Sequence, residues 1–222
     1  MIRLLDMFFS ALAMLAFAPL FIVVSAVLLL TGEGEVFFVQ TRLGRGGKKF
    51  GLIKFATMLK DSPNLGTGTV TLKNDSRVLP VGIILRKTKI NELPQLFNIF
   101  MGDMSVVGPR PQDQRCFDAF PSVSQNAISK VRPGLSGVGS IVFRDEEELM
   151  HECENPGDFY DNVIMPYKGK LEEWYVENNG IITYFSCIWG TIWTLFNPAS
   201  AIAWKLFKGL PKPPPEIVGL HE

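Results

Sequence analysis

Between Asp6 and Glu33 lie 26 residues without a charge, MFFSALAMLAFAPLFIVVSAVLLLTG. As one helix this run would reach about 39 Å, against a hydrocarbon core of about 30 Å. The chain therefore reads as a membrane protein. A signal peptide would have a shorter apolar region and a small-residue cleavage site, but here Leu28-Leu29-Leu30 leads into Thr31-Gly32-Glu33. Pro19 sits near the centre, where it removes one helical hydrogen bond and clashes with the preceding turn. Two readings follow. One is a spanning helix kinked at Pro19. The other is a re-entrant hairpin with halves Met7–Ala18 and Leu20–Leu30, each about 16–18 Å long. Length and composition alone favour the kinked span. Only Arg3 and the amino terminus precede the run, whereas Arg42, Arg45, Lys48, Lys49, Lys54 and Lys60 follow it. By the positive-inside rule everything after residue 33 is cytoplasmic.

The length of 222 residues fits one domain with appendages. The 47% hydrophobic content excludes a disordered chain, and 22 acids against 22 bases argue against a nucleic-acid partner. Cys116, Cys153 and Cys187 are odd in number and widely spaced, so they form neither a disulfide framework nor a metal knuckle and read as reduced thiols. His151 and His221 are too few for a histidine-built zinc site.

Val36–Gln40 and Phe50–Phe55 read as short strands joined by the turn LGRGGKK at 43–49. That turn lacks the Walker spacing and reads as a basic hairpin turn. Residues 61–74 form a polar loop, and helices are predicted over Val81–Lys89 and from Pro94 to Gly102. A second uncharged stretch, Asn178–Trp204, has Ile182, Phe185, Trp189, Trp193 and Phe196 on one helical face. Thr183, Cys187, Gly190, Thr191 and Thr194 lie opposite. With Trp174, Trp189, Trp193 and Trp204 all in this third of the chain, an amphipathic interfacial helix fits better than a second span. Asn197-Pro198 breaks it, Ala199–Lys208 reads as a second interfacial helix, and Pro211–Pro215 is an extended tail.

Chemistry-bearing residues concentrate in RKTKINELPQLFNIFMGDMSVVGPRP, Arg86 to Pro111. Glu92 stands just before a predicted helix start, whose free N–H groups suit phosphate, and Arg86, Lys87 and Lys89 add positive charge. Arg110, held between Pro109 and Pro111, is a pre-positioned fork for bidentate phosphate binding. An acid among cations at a membrane surface points to phosphoryl chemistry with a bridging metal ion. The plainer alternative pairs Glu92 with Lys89 and Arg110 with Asp103.

The segment ELPQLFNIFMGDMSVVGPRP, with KFATM at 54–58, VRPGLSG at 131–137 and LEEWYVENN at 171–179, resembles the bacterial sugar transferase family, in its small monotopic phosphoglycosyl transferase form. The resemblance covers residues 1–205. It implies transfer of a sugar-1-phosphate from a nucleotide sugar, usually a UDP-sugar, to polyprenol phosphate, with release of UMP and a requirement for Mg2+. It also implies an α+β, mainly helical fold at the cytoplasmic face of the bacterial inner membrane. The expected regions are a re-entrant hairpin over residues 1–32 broken at Pro19, a catalytic domain over 33–177, interfacial helices over 178–208 carrying Trp189 and Trp193, and a Pro-rich tail over 209–222. Its partners would be the nucleotide sugar, polyprenol phosphate and the lipid bilayer, and a homo-oligomer is compatible with this reading.

In that family an adjacent Asp-Glu dyad precedes the LPQL-like helix, and the aspartate attacks the donor phosphate to form a covalent intermediate. This chain has Asn91-Glu92 there, and an amide has no anionic oxygen to attack phosphorus. Glu92 would then be the nucleophile, or the base and metal ligand for direct attack by the acceptor. Alternatively Asp103, Asp145 or Glu172 contributes in a rearranged site, or the chain is an impaired homologue serving as a lipid-binding or scaffolding protein. Ala56, in place of a common lysine, and VGSIVFRDEEE after the glycine turn mark further divergence. Lys54, Arg86, Arg110, Arg132 and Glu172 carry over as substrate-binding positions, Glu92 and Asp103 as metal ligands. Arg144–Glu148 reads equally well as a solvated charge run.

Overall fold

The computed structural model describes residues 1–64, 75–144, 155–197 and 201–220. These are mainly helical with a few short strands, as expected for the α+β class. The chain separates into two compact units, residues 3–41 with 51–102, and residues 42–50 with 103–222.

In the first unit the apolar run folds as two helices, α1 (Ile2–Ala16) and α2 (Ala18–Thr31), bent by 61° at Phe17. The break falls where the sequence places it. Pro19 lies in the first turn of α2, where a missing N–H costs nothing, and it cannot donate back to the turn before. Neither helix alone is long and apolar enough to cross a membrane. Helix α1 begins earlier than the apolar run and takes in Arg3, whose guanidinium donates to the carbonyls of Ile99 (2.5 Å) and Phe100 (2.6 Å). These are last-turn carbonyls of helix α4 (Gln95–Met101), and a cation there satisfies otherwise unpaired acceptors. Gly102 closes α4 at φ 99, a left-handed position that favours glycine.

Strands β1 (Phe37–Leu43) and β2 (Lys49–Phe55) pair as the predicted hairpin, turning through Arg45–Gly47 with Gly46 and Gly47 both at positive φ. Helix α3 runs Pro80–Lys87, two residues shorter than predicted at its end. It lies so close to the Thr57 carbonyl that a Cβ on Gly82 would come within 3.0 Å of it. Val24 and Leu28 of α2, Phe55 of β2 and Leu85 of α3 form a buried cluster joined by Leu20, Phe21, Val36, Val81, Ile90 and Leu93. Asn98 of α4, buried, accepts the Ile53 N–H (3.0 Å) and donates to the Gly51 carbonyl (2.8 Å), fixing α4 on β2. Ser62–Asn64 form a short turn in the predicted loop, whose residues 65–74 lie outside the described residues.

In the second unit, strand β3 (Ser105–Val107) pairs in parallel with β4 (Gly134–Ser136). Helices α5 (Gln114–Asp118), α6 (Ser122–Ile128) and α7 (Val138–Val142) are short. Helix α8 (Pro156–Phe159) passes through a π turn at Tyr160–Ile164 into α9 (Met165–Glu177). Helix α10 (Ile181–Phe196) buries Tyr184, Cys187, Gly190 and Thr194 and exposes Ile182, Phe185, Trp189, Trp193 and Phe196. The predicted apolar face is thus the outer one, and the small, polar face is packed inward. Thr191 meets Ser136 through their hydroxyls, and Gly190 sits against Ile141 and Leu206. Helix α11 covers only Ile202–Leu206 of the predicted second interfacial helix, with Ala203 and the following Phe207 buried. The extended tail at 211–214 is tied down, its Pro211 carbonyl accepting from Tyr167 Oη (2.9 Å) and Trp204 Nε1 (3.2 Å), and it ends in a turn that buries Ile217.

Removing the Asn98 amide leaves the part-buried Ile53 N–H and Gly51 carbonyl without their protein partner, at about 1 kcal/mol each. Asn98→Ala is expected to lower the melting temperature by several degrees in detergent. A variant that melts like the parent would show that α4 is held by other contacts.

Candidate active site

In the first unit the candidate residues sit around a tight turn. Helix α3 ends at Lys87, and Lys89 adopts φ 59, the one positive φ at a non-glycine among the described residues. A left-handed residue of this kind costs about 1–2 kcal/mol and reverses the chain sharply. Ile90–Glu92 then form a single 3-10 turn before Leu93 and Pro94. Ile90 and Leu93 are packed into the apolar cluster, which holds the residues between them in place. Asn91 and Glu92 are themselves buried, at 8% and 9% exposure. Most of the N–H groups predicted to be free around the helix start are already bonded. Those of Glu92, Leu93, Leu96 and Phe97 bond back to Lys89, Ile90, Leu93 and Pro94, because the turn runs directly into a helix of only seven residues.

Asn91 Oδ1 is buried and has no hydrogen-bond partner among the described residues. An orphaned hard oxygen on the residue preceding Glu92 suits a small divalent cation of the magnesium type, which is usually held by one or two carboxylates and completed by substrate phosphates. Among the described residues no three His, Cys, Asp or Glu side chains cluster as a self-sufficient metal site. Asp103 is exposed and belongs to the second unit. Lys54 lies half-buried on β2, next to the inward-facing Phe55, and Arg86 half-buried on α3, with Nη1 3.5 Å from Met58 Sδ.

In the second unit two arginine turns are laid against each other. Gly108 donates to the Ser136 carbonyl (2.8 Å), Gly134 to the Pro109 carbonyl (2.8 Å) and Ser105 to the Pro133 carbonyl (2.8 Å). A Cβ on Gly108, Gly134 or Gly137 would fall within 3.0 Å of the facing backbone. Glycine is therefore required at these positions by close approach, and the segments GPRP and VRPGLSG come together edge to edge. Arg110 and Arg132, both half-buried, flank this ladder. Sequence reasoning saw the two proline-stiffened arginines but not their pairing. The glycine in each motif was the available signal.

Helix α9 supports the Arg110 turn from within the unit. Tyr175 Oη donates to the Val107 carbonyl (3.0 Å), and the Glu172 carboxylate accepts the Arg110 backbone N–H. Lys168 and Glu172 are each 2% exposed, and Lys168 Nζ lies 5.2 Å from the Phe143 ring centre. Burial pushes the Glu172 carboxyl up to about 7, against the opposing pull of Lys168 and of the Arg110 N–H. Glu172 is therefore placed beneath the arginine turn, away from solvent. Asp145, with His151, Cys153 and the acidic end of the 138–148 stretch, lies outside the described residues.

A family model described as bacterial sugar transferase matches residues 1–198. The chain belongs to the bacterial sugar transferase family. Among its relatives, the exopolysaccharide production protein ExoY of Rhizobium meliloti is 35% identical over 158 residues, covering 65% of this chain and 70% of ExoY. A UDP-N-acetylgalactosamine-undecaprenyl-phosphate N-acetylgalactosaminephosphotransferase of Aeromonas hydrophila is 37% identical over 163 residues, or 70% of this chain and 37% of that protein. A UDP-glucose:undecaprenyl-phosphate glucose-1-phosphate transferase of Klebsiella pneumoniae is 36% identical over 157 residues, or 68% of this chain and 33% of its own length. For this bacterial sugar transferase the buried carboxyl of Glu172 has a measurable consequence. Between its ordinary pKa of 4.5 and its raised value of about 7, the native state holds a proton that the unfolded state has lost. Stability therefore falls as pH rises through that window and levels off above it. In detergent, Glu172→Gln is expected to gain in melting temperature relative to the parent between pH 5 and pH 8. An offset that stays constant with pH would mean that the carboxyl titrates normally.

Proposed function

We propose that this chain transfers a sugar-1-phosphate from a UDP-sugar to polyprenol phosphate at the cytoplasmic face of the bacterial inner membrane, releasing UMP. The observation that carries this reading is the family match across residues 1–198, shared with relatives named as undecaprenyl-phosphate sugar phosphotransferases. In the reaction an oxygen of polyprenol phosphate bonds to the sugar-bearing phosphorus, and the bond from that phosphorus to the bridging oxygen breaks. The electron pair leaves on UMP. Arg110 and Arg132, on their paired turns, bind the phosphate groups, and Lys54 and Arg86 add positive charge.

The amide at Asn91 supplies no anionic oxygen, whereas the acceptor brings its own. This supports direct displacement without a covalent enzyme intermediate. Glu92 and Asn91 Oδ1 would hold Mg2+, which when bound neutralises charge on the diphosphate and the departing UMP.

The membrane seat is a re-entrant hairpin. Arg3, ahead of the apolar run, bonds to α4, which follows it. A straight span would hold the two about 30 Å apart, so this contact supports entry and exit on one face. The outward apolar face of α10, with Trp189 and Trp193, supports a place in the headgroup layer.

UMP release from a UDP-sugar panel including UDP-glucose and UDP-N-acetylgalactosamine, with undecaprenyl phosphate and Mg2+, tests the reading. No turnover by folded protein across the panel would overturn it. Glu92→Gln is expected to abolish turnover, and Arg110→Ala to reduce it about 10- to 100-fold through the loss of charged hydrogen bonds. Without acceptor, no UMP is expected. A stoichiometric burst of UMP would instead identify a covalent phosphosugar on the enzyme and sink direct displacement.

A further inference from the structure

The GPRP turn has few means of holding its own shape. Pro109 and Pro111 have no N–H, so Gly108 and Arg110 carry the only two backbone donors in the four residues. Gly108 gives its N–H to the Ser136 carbonyl. The other goes to Glu172, a side chain from a helix more than sixty residues further along the chain.

The surroundings of that carboxyl are built to receive it. At 2% exposure Glu172 has no surface to offer a soluble nucleotide. Helix α7 carries Gly139 against it, and a Cβ there would collide with Glu172 Oε1. Lys168, one helical turn earlier and equally buried, attracts the carboxylate and is itself held over the Phe143 ring. Glu172 Oε2 is buried without a hydrogen-bond partner among the described residues, so the group is not optimised for stability alone.

We propose that Glu172 is a positioning residue: it fixes the backbone of the Arg110 turn through the Arg110 N–H and so aims the guanidinium at the donor diphosphate, without itself touching substrate. This rests on the phosphate-binding role given to Arg110 above. With the prolines restricting φ on both sides and Gly134 holding the Pro109 carbonyl, loss of that bond releases the tether on the Arg110 N–H itself.

The test measures UDP binding as well as turnover, on the full chain in detergent with Mg2+. Glu172→Ala is expected to weaken UDP affinity and raise the KM for the donor about tenfold, the size of one charged hydrogen bond, with a smaller change in kcat. Glu172→Gln, whose amide oxygen can still accept an N–H, should recover most of that loss. Gly139→Ala, which displaces the carboxyl without altering it, should reproduce the Glu172→Ala phenotype and carries the test if Glu172→Ala does not fold. In an Arg110→Ala background Glu172→Ala should add nothing. Unchanged UDP affinity in Glu172→Ala and Gly139→Ala would overturn the proposal, as would full additivity with Arg110→Ala or a Gln variant as weak as the Ala variant. A parent that releases no UMP from any donor fails the functional reading instead, while its UDP affinities still decide the role of Glu172.

Discussion

Ile90 and Leu93, partly buried, pack against the apolar cluster of Val24 and Leu28 of α2 and Phe55 of β2. What lies between them, the Asn91-Glu92 pair, is held by that packing together with the Glu92 N–H bond back to the Lys89 carbonyl. The left-handed Lys89 delivers the chain into the cluster, and Asn98 fixes the following helix to β2. The apolar run is therefore part of this core. Its second half supplies one wall of the core on which the acidic turn rests, and its first half, through Arg3, caps the helix behind that turn.

The second unit solves a different problem, the precise placement of two arginines on segments with few backbone donors. Close approach of main chain to main chain does most of this, and glycine is the residue that permits it at positions 108, 134 and 137. Parallel strands of only three residues would be marginal alone. Tyr175 and Glu172 of α9 reinforce them from beneath, and Thr191 of α10 reaches the hydroxyl of Ser136.

Much of this was legible in the residues. The break near Pro19 follows from the chemistry of proline, the β1–β2 hairpin from two apolar segments around a glycine-rich turn, and the two faces of α10 from helical spacing. The inverted sense of α10, apolar outward, was readable because small residues and threonines filled the opposite face. Other features left no such trace. Strands β3 and β4 are too short for an alternating pattern, and their pairing depends on contacts between segments about thirty residues apart. Lys168 and Glu172 at i and i+4 look like an ordinary exposed ion pair, and only the tertiary fold buries them. Several N–H groups at the start of α4 looked available for phosphate but bond back within the chain, because nothing in the sequence announces a 3-10 turn.

The π turn at Tyr160–Ile164 amounts to one extra residue accommodated inside a continuous helix. Each residue advances an α-helix by about 100°, so the added residue re-phases everything beyond it. The face of α9 that carries Lys168 and Glu172 is thus out of step with the face that α8 would otherwise have continued. The orientation of that buried pair is a matter of helical phase, set by a change of register well upstream of either charge.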